Sequence, residues 1–492
     1  MSAEPTDGIA ADVRRGLLWS SLNSLALRLG SLVVGIVLAR LLAPADFGVY
    51  AIALTVQSVL VTLVDLGMSA YLVRAEDPER DGPTVASLSL ANGVVLAAAM
   101  TVTAGPVARL MGAPDASGVI AVLSWTLVLS SAGVVPYAAL QRDFQQRRLF
   151  GSSVLDFATS TSVTVALILL GMGPMALAIG RVAAQSAATT AQFLLARMRP
   201  QFAADRRIAR RALAFGIPLG TANLLSWALL NIDNVAIARV AGTTALGLYV
   251  LAFNISSWPM SAIGQAVRSV SLAGFSRTTR DGSEGGFATA LSLTWAAALV
   301  AGVMLAALAQ PLVALLYGAR WSPAATVLGA LGLFGALRVV LDLMATYLMA
   351  RGAARSVLYV QIVWFLALIP AVVLATHWKG IAGAGWSHVA VAALVVLPAY
   401  AVALARAGTP VRTVVRAMWL PTVAAVPTWW VAHTVAGQAQ RPLLALAIGG
   451  LAGAATYLAV CHRWLRRLRP DAGPRRPRPR ARLVDQPGEA VT

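Results

Sequence analysis

The chain has 492 residues, 58% of them apolar and only 12% charged, with a mean hydropathy of +0.73. A soluble protein carries about a quarter of its residues as charges, so this composition excludes a soluble enzyme or binding domain. The net charge of +19 would point to nucleic acid in a soluble chain. Here the basic residues lie between apolar runs, the pattern of a membrane topology signal, and a nucleic-acid partner is excluded.

Apolar runs of about eighteen residues or more, each able to cross roughly 30 Å of hydrocarbon, recur along the chain. They predict spans at 16–41, 47–73, 84–108, 118–140, 151–172, 174–196, 212–238, 245–267, 287–310, 325–349, 356–376, 381–405, 417–436 and 442–461, numbered 1 to 14 below. The breaks carry Pro/Gly turn chemistry, as at Ala43-Pro44, Gly112-Ala113-Pro114 and Gly171-Met172-Gly173-Pro174. The segment after Arg14-Arg15 is too long for a signal-peptide core and is read as a retained first span.

Thirty of the 39 basic residues fall in the N-terminus, the even-numbered connections and the tail. Six fall in the odd-numbered connections, and Arg28, Arg181 and Arg338 lie inside spans. By the positive-inside rule both termini are cytoplasmic. The fold class is therefore all-α and polytopic, with about fourteen transmembrane helices. The single cysteine, Cys461, excludes an intramolecular disulfide.

Residues 28–50 recur in diluted form 199 positions later, at 227–249. Without a gap, Ala39-Arg40 overlays Ala238-Arg239, Gly48 overlays Gly247 and Tyr50 overlays Tyr249. A weaker echo links Pro106 to Gly112 with Pro311 to Gly318. Six spans separate motif and copy, and six is even, so both halves enter the membrane in the same direction. The expected organisation is a short N-terminus (1–15), an N-lobe (16–196), a basic cytoplasmic linker (197–211) and a C-lobe (212–405). Spans 13 and 14 (417–461) and a disordered basic tail (462–492) follow.

Charge inside hydrocarbon marks the candidate site. Arg28 lies about 18 Å from either end of span 1 by helical rise, too deep to snorkel easily. Such an arginine costs about 2.5–3.5 kcal/mol to insert and should face a polar interior, as a lining for an anionic substrate or as half of an ion pair. Arg338 is comparably deep, with Asp342 one turn on as a local partner. Arg181 is nearer the outer interface. Asp65 is placed to pair with Arg28 or to gate, and Asp233 and Asp342 join it as candidates for gating or coupling. Asn23, Asn223 and Asn231 supply a polar lining, with interhelical hydrogen bonding as the plainer alternative. Trp227, Trp258 and Trp364 lie inside spans, where they either stack on sugar rings or pack as bulk. No His/Cys/carboxylate cluster has metal-ligand spacing, and His377, His388, His433 and His462 are scattered. Lys379, the only lysine, belongs to no phosphate-cradling loop. No cofactor is expected beyond coupling to an ion gradient.

Residues 38–74, LARLLAPADFGVYAIALTVQSVLVTLVDLGMSAYLVR, resemble the opening of the Wzx-type polysaccharide flippases of the multidrug/oligosaccharidyl-lipid/polysaccharide exporter superfamily. PYAALQRDFQQRRLF (136–150) is similar to the basic connection of the lipopolysaccharide and exopolysaccharide exporter subgroup. The resemblance implies two six-helix lobes around a cavity that opens to one side at a time, with spans 13 and 14 as additions. It also implies transport of a polyprenyl-diphosphate-linked oligosaccharide across the bacterial cytoplasmic membrane, partnered by a polysaccharide polymerase and export machinery. In that setting Arg28, helped by Arg338 or Arg181, would face the diphosphate. The alternatives are a peptidoglycan-precursor flippase or a drug/cation exporter; a cation exporter should carry carboxylates where this chain has arginines. A membrane polymerase or glycosyltransferase would need a large outer loop with catalytic carboxylates, and the outer connections hold only Asp46 and Asp115.

Overall fold

The computed structural model describes residues 30, 33–281 and 285–468. Every predicted span has a helical segment there, and no strand occurs among the described residues. Nine stretches of these residues are long and apolar enough to cross a membrane. Helices are the expected outcome, because a hydrocarbon environment leaves backbone N–H and C=O groups no partner outside the segment.

Helix boundaries follow the turn chemistry. Pro44, Pro78, Pro174 and Pro442 each open a helix, where the missing N–H costs nothing. At the first of these turns the Asp46 carboxylate accepts from Ala43 N (3.0 Å) and fixes the entry to span 2. Spans 7 and 8 form one run, Arg206–Asp281, broken at Gly242 (φ +84°). Spans 11 and 12 likewise run from Ala354 to Val391 through a tight turn at Lys379 and Gly380 (φ +58°). A single π-helical turn, Ala392–Val396, follows in span 12, a local irregularity often found near functional sites.

The linker crosses the entry of span 3 as an ordered strap. Ala203 N donates to Pro83 O (3.1 Å) and Ser87 Oγ (3.1 Å), and Asp205 N donates to Thr84 Oγ1 (3.3 Å). Asp205 then caps the following helix, its Oδ1 accepting from Arg207 N (2.8 Å) and Ile208 N (3.2 Å). Spans 13 and 14 dock on span 9. Trp295 Nε1 donates to Met418 O (3.1 Å) and Thr422 Oγ1 (2.9 Å), and Tyr457 donates to Ala296 O (2.9 Å). One apolar core runs through both lobes, from Ala39, Val49 and Ile52 to Ile237, Leu246 and Trp321.

Candidate functional site

The repeated motif forms the contact between lobes. Gly48 lies against the Thr243 carbonyl and Gly247 against the Pro44 carbonyl, each so closely that a Cβ would overlap the oxygen. Thr243 is the repeat counterpart of Pro44, so the two contacts are related by a pseudo-two-fold axis. The arginines cross in the same reciprocal way. Arg40 reaches the C-lobe, where Nη2 donates to Leu315 O (2.6 Å) and Nε to Leu316 O (3.1 Å). Its counterpart Arg239 packs on the N-lobe at Gly112, whose φ of +77° and tight fit exclude a side chain. Gly112 and Gly318 are the ends of the weaker echo, and Gly318 (φ +91°) sits beside Arg40. Trp321, fully buried, adds Nε1–H···O=C to Ala39 (2.7 Å).

Below this contact, spans 7, 8, 10, 11 and 12 of the C-lobe enclose a polar cluster. Tyr249 donates its hydroxyl to Asp233 Oδ2 (2.9 Å) and lies 3.0 Å from His388 Nε2. His388 Nε2 is 3.8 Å from the same carboxylate oxygen, and all three side chains are buried. Asp233 Oδ1 accepts from Asn234 N (2.9 Å), and Asn234 Nδ2 donates across the lobe boundary to Thr55 Oγ1 (3.3 Å). The cluster is thus one residue from an inter-lobe hydrogen bond.

Two cavities adjoin it. One, of about 250 Å³, is lined by Asp233, Arg338, Asp342, Gln361, Trp364 and His388, among others. The other, about 190 Å³, contains Ser256, Ser257 and Ser261 and shares Arg338 and Asp342 with the first. Span 10 is the most buried of the long apolar stretches. Between Val327 and Leu348 its only exposed residues are Arg338 and Asp342. Among the described residues Arg338 makes no hydrogen bond or ion pair. A cation open to a cavity at the middle of a membrane helix is placed to meet an anion or a polar ligand.

The other predicted residues separate. Arg181 is held by Asp156 of span 5, with Nη1 at 2.8 Å and 3.1 Å from the two carboxylate oxygens, and Gln185 accepts from Nη2 at 3.4 Å. This joins spans 5 and 6 within the N-lobe. Asp65 ends the first helix of span 2 and caps the next, Met68–Arg74. Its carboxylate accepts from Gly67 N (3.2 Å), Ser69 N (3.3 Å) and Ser69 Oγ. Asn231 is half-buried on span 7. Arg28 and Asn23 lie outside the described residues, as does the side chain of Asn223.

A family profile described as "Polysaccharide biosynthesis protein" matches residues 37–326, more than half of the chain. The chain belongs to this family. The succinoglycan biosynthesis transport protein ExoT of Rhizobium meliloti (strain 1021) is 29% identical over 331 residues, which cover 66% of each chain. The lipopolysaccharide biosynthesis protein WzxC of Escherichia coli (strain K12) is 23% identical over 428 residues, 85% of this chain and 87% of that one. In fold the chain is similar to the lipid II flippase MurJ in an inward closed conformation, with a TM-score of 0.74 at 14% identity over 92% of this chain and 99% of that one.

For this member of the polysaccharide biosynthesis family, the match takes in the inter-lobe contact residues from Arg40 to Trp321, with Asp233 and Tyr249. It stops short of Arg338, Asp342 and His388, so half of the C-lobe cluster lies beyond the matched residues. Sequence reasoning overlooked His388 and Tyr249. A signal for Tyr249 existed: Asp233 and Tyr249 stand at equal distances from residue 241, beside the Gly242 turn, and must face each other across the helix hairpin. His388 carries no such local signal, since only tertiary packing brings span 12 to span 7.

Proposed function

We propose that the protein flips a polyprenyl-diphosphate-linked oligosaccharide across the bacterial cytoplasmic membrane by alternating access, for assembly of a cell-surface polysaccharide. It is a multi-pass membrane transporter of the polysaccharide biosynthesis family and not an enzyme. In this reading the prenyl tail stays in the bilayer while diphosphate and sugars pass through the interior. Both termini are cytoplasmic, and the end bearing Gly48 and Thr243 is the outer one. Ion coupling or product removal by a polymerase and export machinery drives flux, with Asp65, Asp233 and Asp342 as the carboxylates assigned to gating or coupling.

The observation that carries the proposal is Arg338, a cavity-facing arginine without an ion-pair partner among the described residues, at the centre of a buried span. Arg181, held by Asp156, contributes less on this view, and Arg28 remains assigned to the diphosphate. A charge-assisted contact is worth about 1.5–3 kcal/mol, or roughly 10- to 150-fold. Export of surface polysaccharide is measured in cells carrying Arg338→Ala and Arg338→Lys, at matched membrane levels, with the same pair at Arg28. Loss of export with Ala and partial retention with Lys is expected. Normal export with Arg338→Ala would remove this residue from the substrate path.

A further inference from the structure

A third cavity, of about 570 Å³, lies where the linker crosses the N-lobe. Its walls are span 3 at Pro83 and Ala86, the end of span 4 at Val135, Phe193 near the end of span 6, and the linker at 197–202. Among the described residues spans 1, 2, 7 and 8 contribute nothing to it, so it stands apart from the lobe boundary and from the Asp233 cluster. The linker wall is exposed along its whole length and open to a ligand. Span 6 (Pro174–Ala196, 23 residues) rises about 34 Å at 1.5 Å per residue, just over the hydrocarbon thickness of roughly 30 Å. The linker therefore leaves it at the level of the lipid headgroups.

The chain leaves span 6 by a turn that glycine usually makes. Arg197 N donates to Leu194 O (3.2 Å) and Met198 N to Phe193 O (3.1 Å), with Arg197 in the left-handed region at φ +54°. Glycine fits that backbone without strain, so a side chain held there calls for a use beyond the turn. The helix end does not supply one. Its Leu195 carbonyl is taken by Arg148 Nη1 (2.8 Å), and the Arg197 and Arg199 guanidinium groups make no hydrogen bond or ion pair among the described residues. Glu79 is the one carboxylate on the described lining, which leaves two positive charges against one negative. The rest of the wall is largely apolar, and Leu194, Met198 and Phe202 are exposed at the same end. Free arginines beside an apolar wall, at headgroup depth, match a molecule that joins a phosphate to a hydrocarbon chain.

We infer that this cavity is a binding site for an anionic phospholipid of the surrounding bilayer, its phosphate held by Arg197 and Arg199 and an acyl chain laid along Ala86, Val135 and Phe193. The same linker carries Ala203 and Asp205, whose amides bond to span 3. A lipid seated here thus fastens the strap between the two halves to the N-lobe. The cargo of the proposed transport passes between the lobes, and no described residue of this lining comes from the spans that meet there, so the occupant is a resident lipid. In the orientation proposed above the site faces the cytoplasmic leaflet. It requires the membrane-spanning fold and not the transport activity.

The test is hydrogen exchange of the full-length protein in phosphatidylcholine nanodiscs carrying a rising fraction of phosphatidylglycerol, read at the linker amides of 198–205. The linker forms one wall of the cavity, so opening it releases the lipid and exchange slows with occupancy. The slowing is roughly tenfold once the lipid stands at about ten times its half-saturating fraction. The basic connection at 407–411, between spans 12 and 13, reports the general effect of a charged bilayer and should change far less. Arg197→Gly/Arg199→Gln removes both charges and puts glycine on a backbone it adopts freely, so the fold is kept while the slowing is lost. Arg412→Gln/Arg416→Gln, which removes the same charge elsewhere, should retain it. Equal slowing with phosphatidylethanolamine would make this a zwitterion site and overturn the inference. So would a response that survives Arg197→Gly/Arg199→Gln, or one no larger at 198–205 than at 407–411. The wild-type titration needs no variant to fold. Export with Arg338→Ala is read separately, so failure of the lipid site leaves the transport reading standing, and the converse holds.

Discussion

The reciprocal glycines allow the inter-lobe contact to be opened by one methyl group. A Cβ on Gly247 would stand 2.8 Å from the Pro44 carbonyl carbon and 3.0 Å from Gly48 N, and it would overlap the Pro44 oxygen. Ordinary contact begins at 3.4 Å, so the backbones must part by at least about 0.6 Å at the carbon and further at the oxygen. Overpacking of this kind costs typically 1–3 kcal/mol. Paid only in the closed arrangement, that cost shifts the closed-to-open ratio by roughly 5- to 150-fold. Leu41 and Val240, repeat counterparts exposed near the two turns, are suitable reporter sites. Spin labels at Leu41→Cys and Val240→Cys, with Cys461→Ser, give the distance distribution between lobes. Gly247→Ala and Gly48→Ala should each move it to longer distances, and by similar amounts, because the contacts are symmetry mates. Gly35→Ala, where nothing lies within 4 Å, should leave it unchanged. If both interface variants keep the wild-type distribution while folded, the contact is not what holds this end together.

Arg40→Ala removes two bonds to C-lobe carbonyls and should lengthen the same distance, while Arg40→Lys, lacking the planar fork, restores it only in part. Asp156→Asn strands Arg181 between spans 5 and 6 and should lower the thermal unfolding temperature; the double variant Asp156→Leu/Arg181→Met should recover most of it. Asp205 is a case for pH. Backbone N–H groups of Ile208 and Arg207 hold its carboxyl below its ordinary value. The cap is therefore in force above the usual carboxylate range and is lost as pH falls through the lowered value. Asp205→Asn should flatten that acid limb in hydrogen exchange of the 206–210 amides.

Much of the architecture was legible because membrane helices obey a short list of rules. Pro44, Pro78 and Pro174 announce helix starts, and the overlay of Gly48 on Gly247 pointed to a duplicated half before any contact was known. The overlay of Pro106–Gly112 on Pro311–Gly318 looked weak as sequence, yet these are the segments on which Arg239 and Arg40 rest. The site was less legible. Depth along a helix ranks Arg338 above Arg181, but only packing shows that Arg181 is paired, because Asp156 lies 25 positions away on another span. Asp65 looked like a deep charge, but two left-handed residues, Leu66 and Gly67, break the helix there and turn the carboxylate into a cap.

The duplication is symmetric in its mechanics and asymmetric in its chemistry. Both lobes keep the glycine, the crossing arginine and the tyrosine. The counterparts of Asp233 and Asn234 in the first copy, however, are Val34 and Gly35, which can neither accept from a tyrosine nor donate across the boundary. Tyr50 instead lies within electrostatic reach of the Arg181–Asp156 pair, a balanced charge set inside one lobe. Tyr249 holds a carboxylate whose backbone neighbour bonds to Thr55 of the opposite lobe. Anything that changes the Asp233 cluster is therefore relayed to the lobe boundary, while the Tyr50 site is not linked to it in this way. Tyr249→Phe should leave Asp233 one donor short, at a cost of about 1–3 kcal/mol, and change both stability and the Leu41–Val240 distance. Tyr50→Phe should change stability alone. Equal effects of the two on the distance would mean that the lobes work as equivalent halves, against the one-sided coupling argued from Asp233.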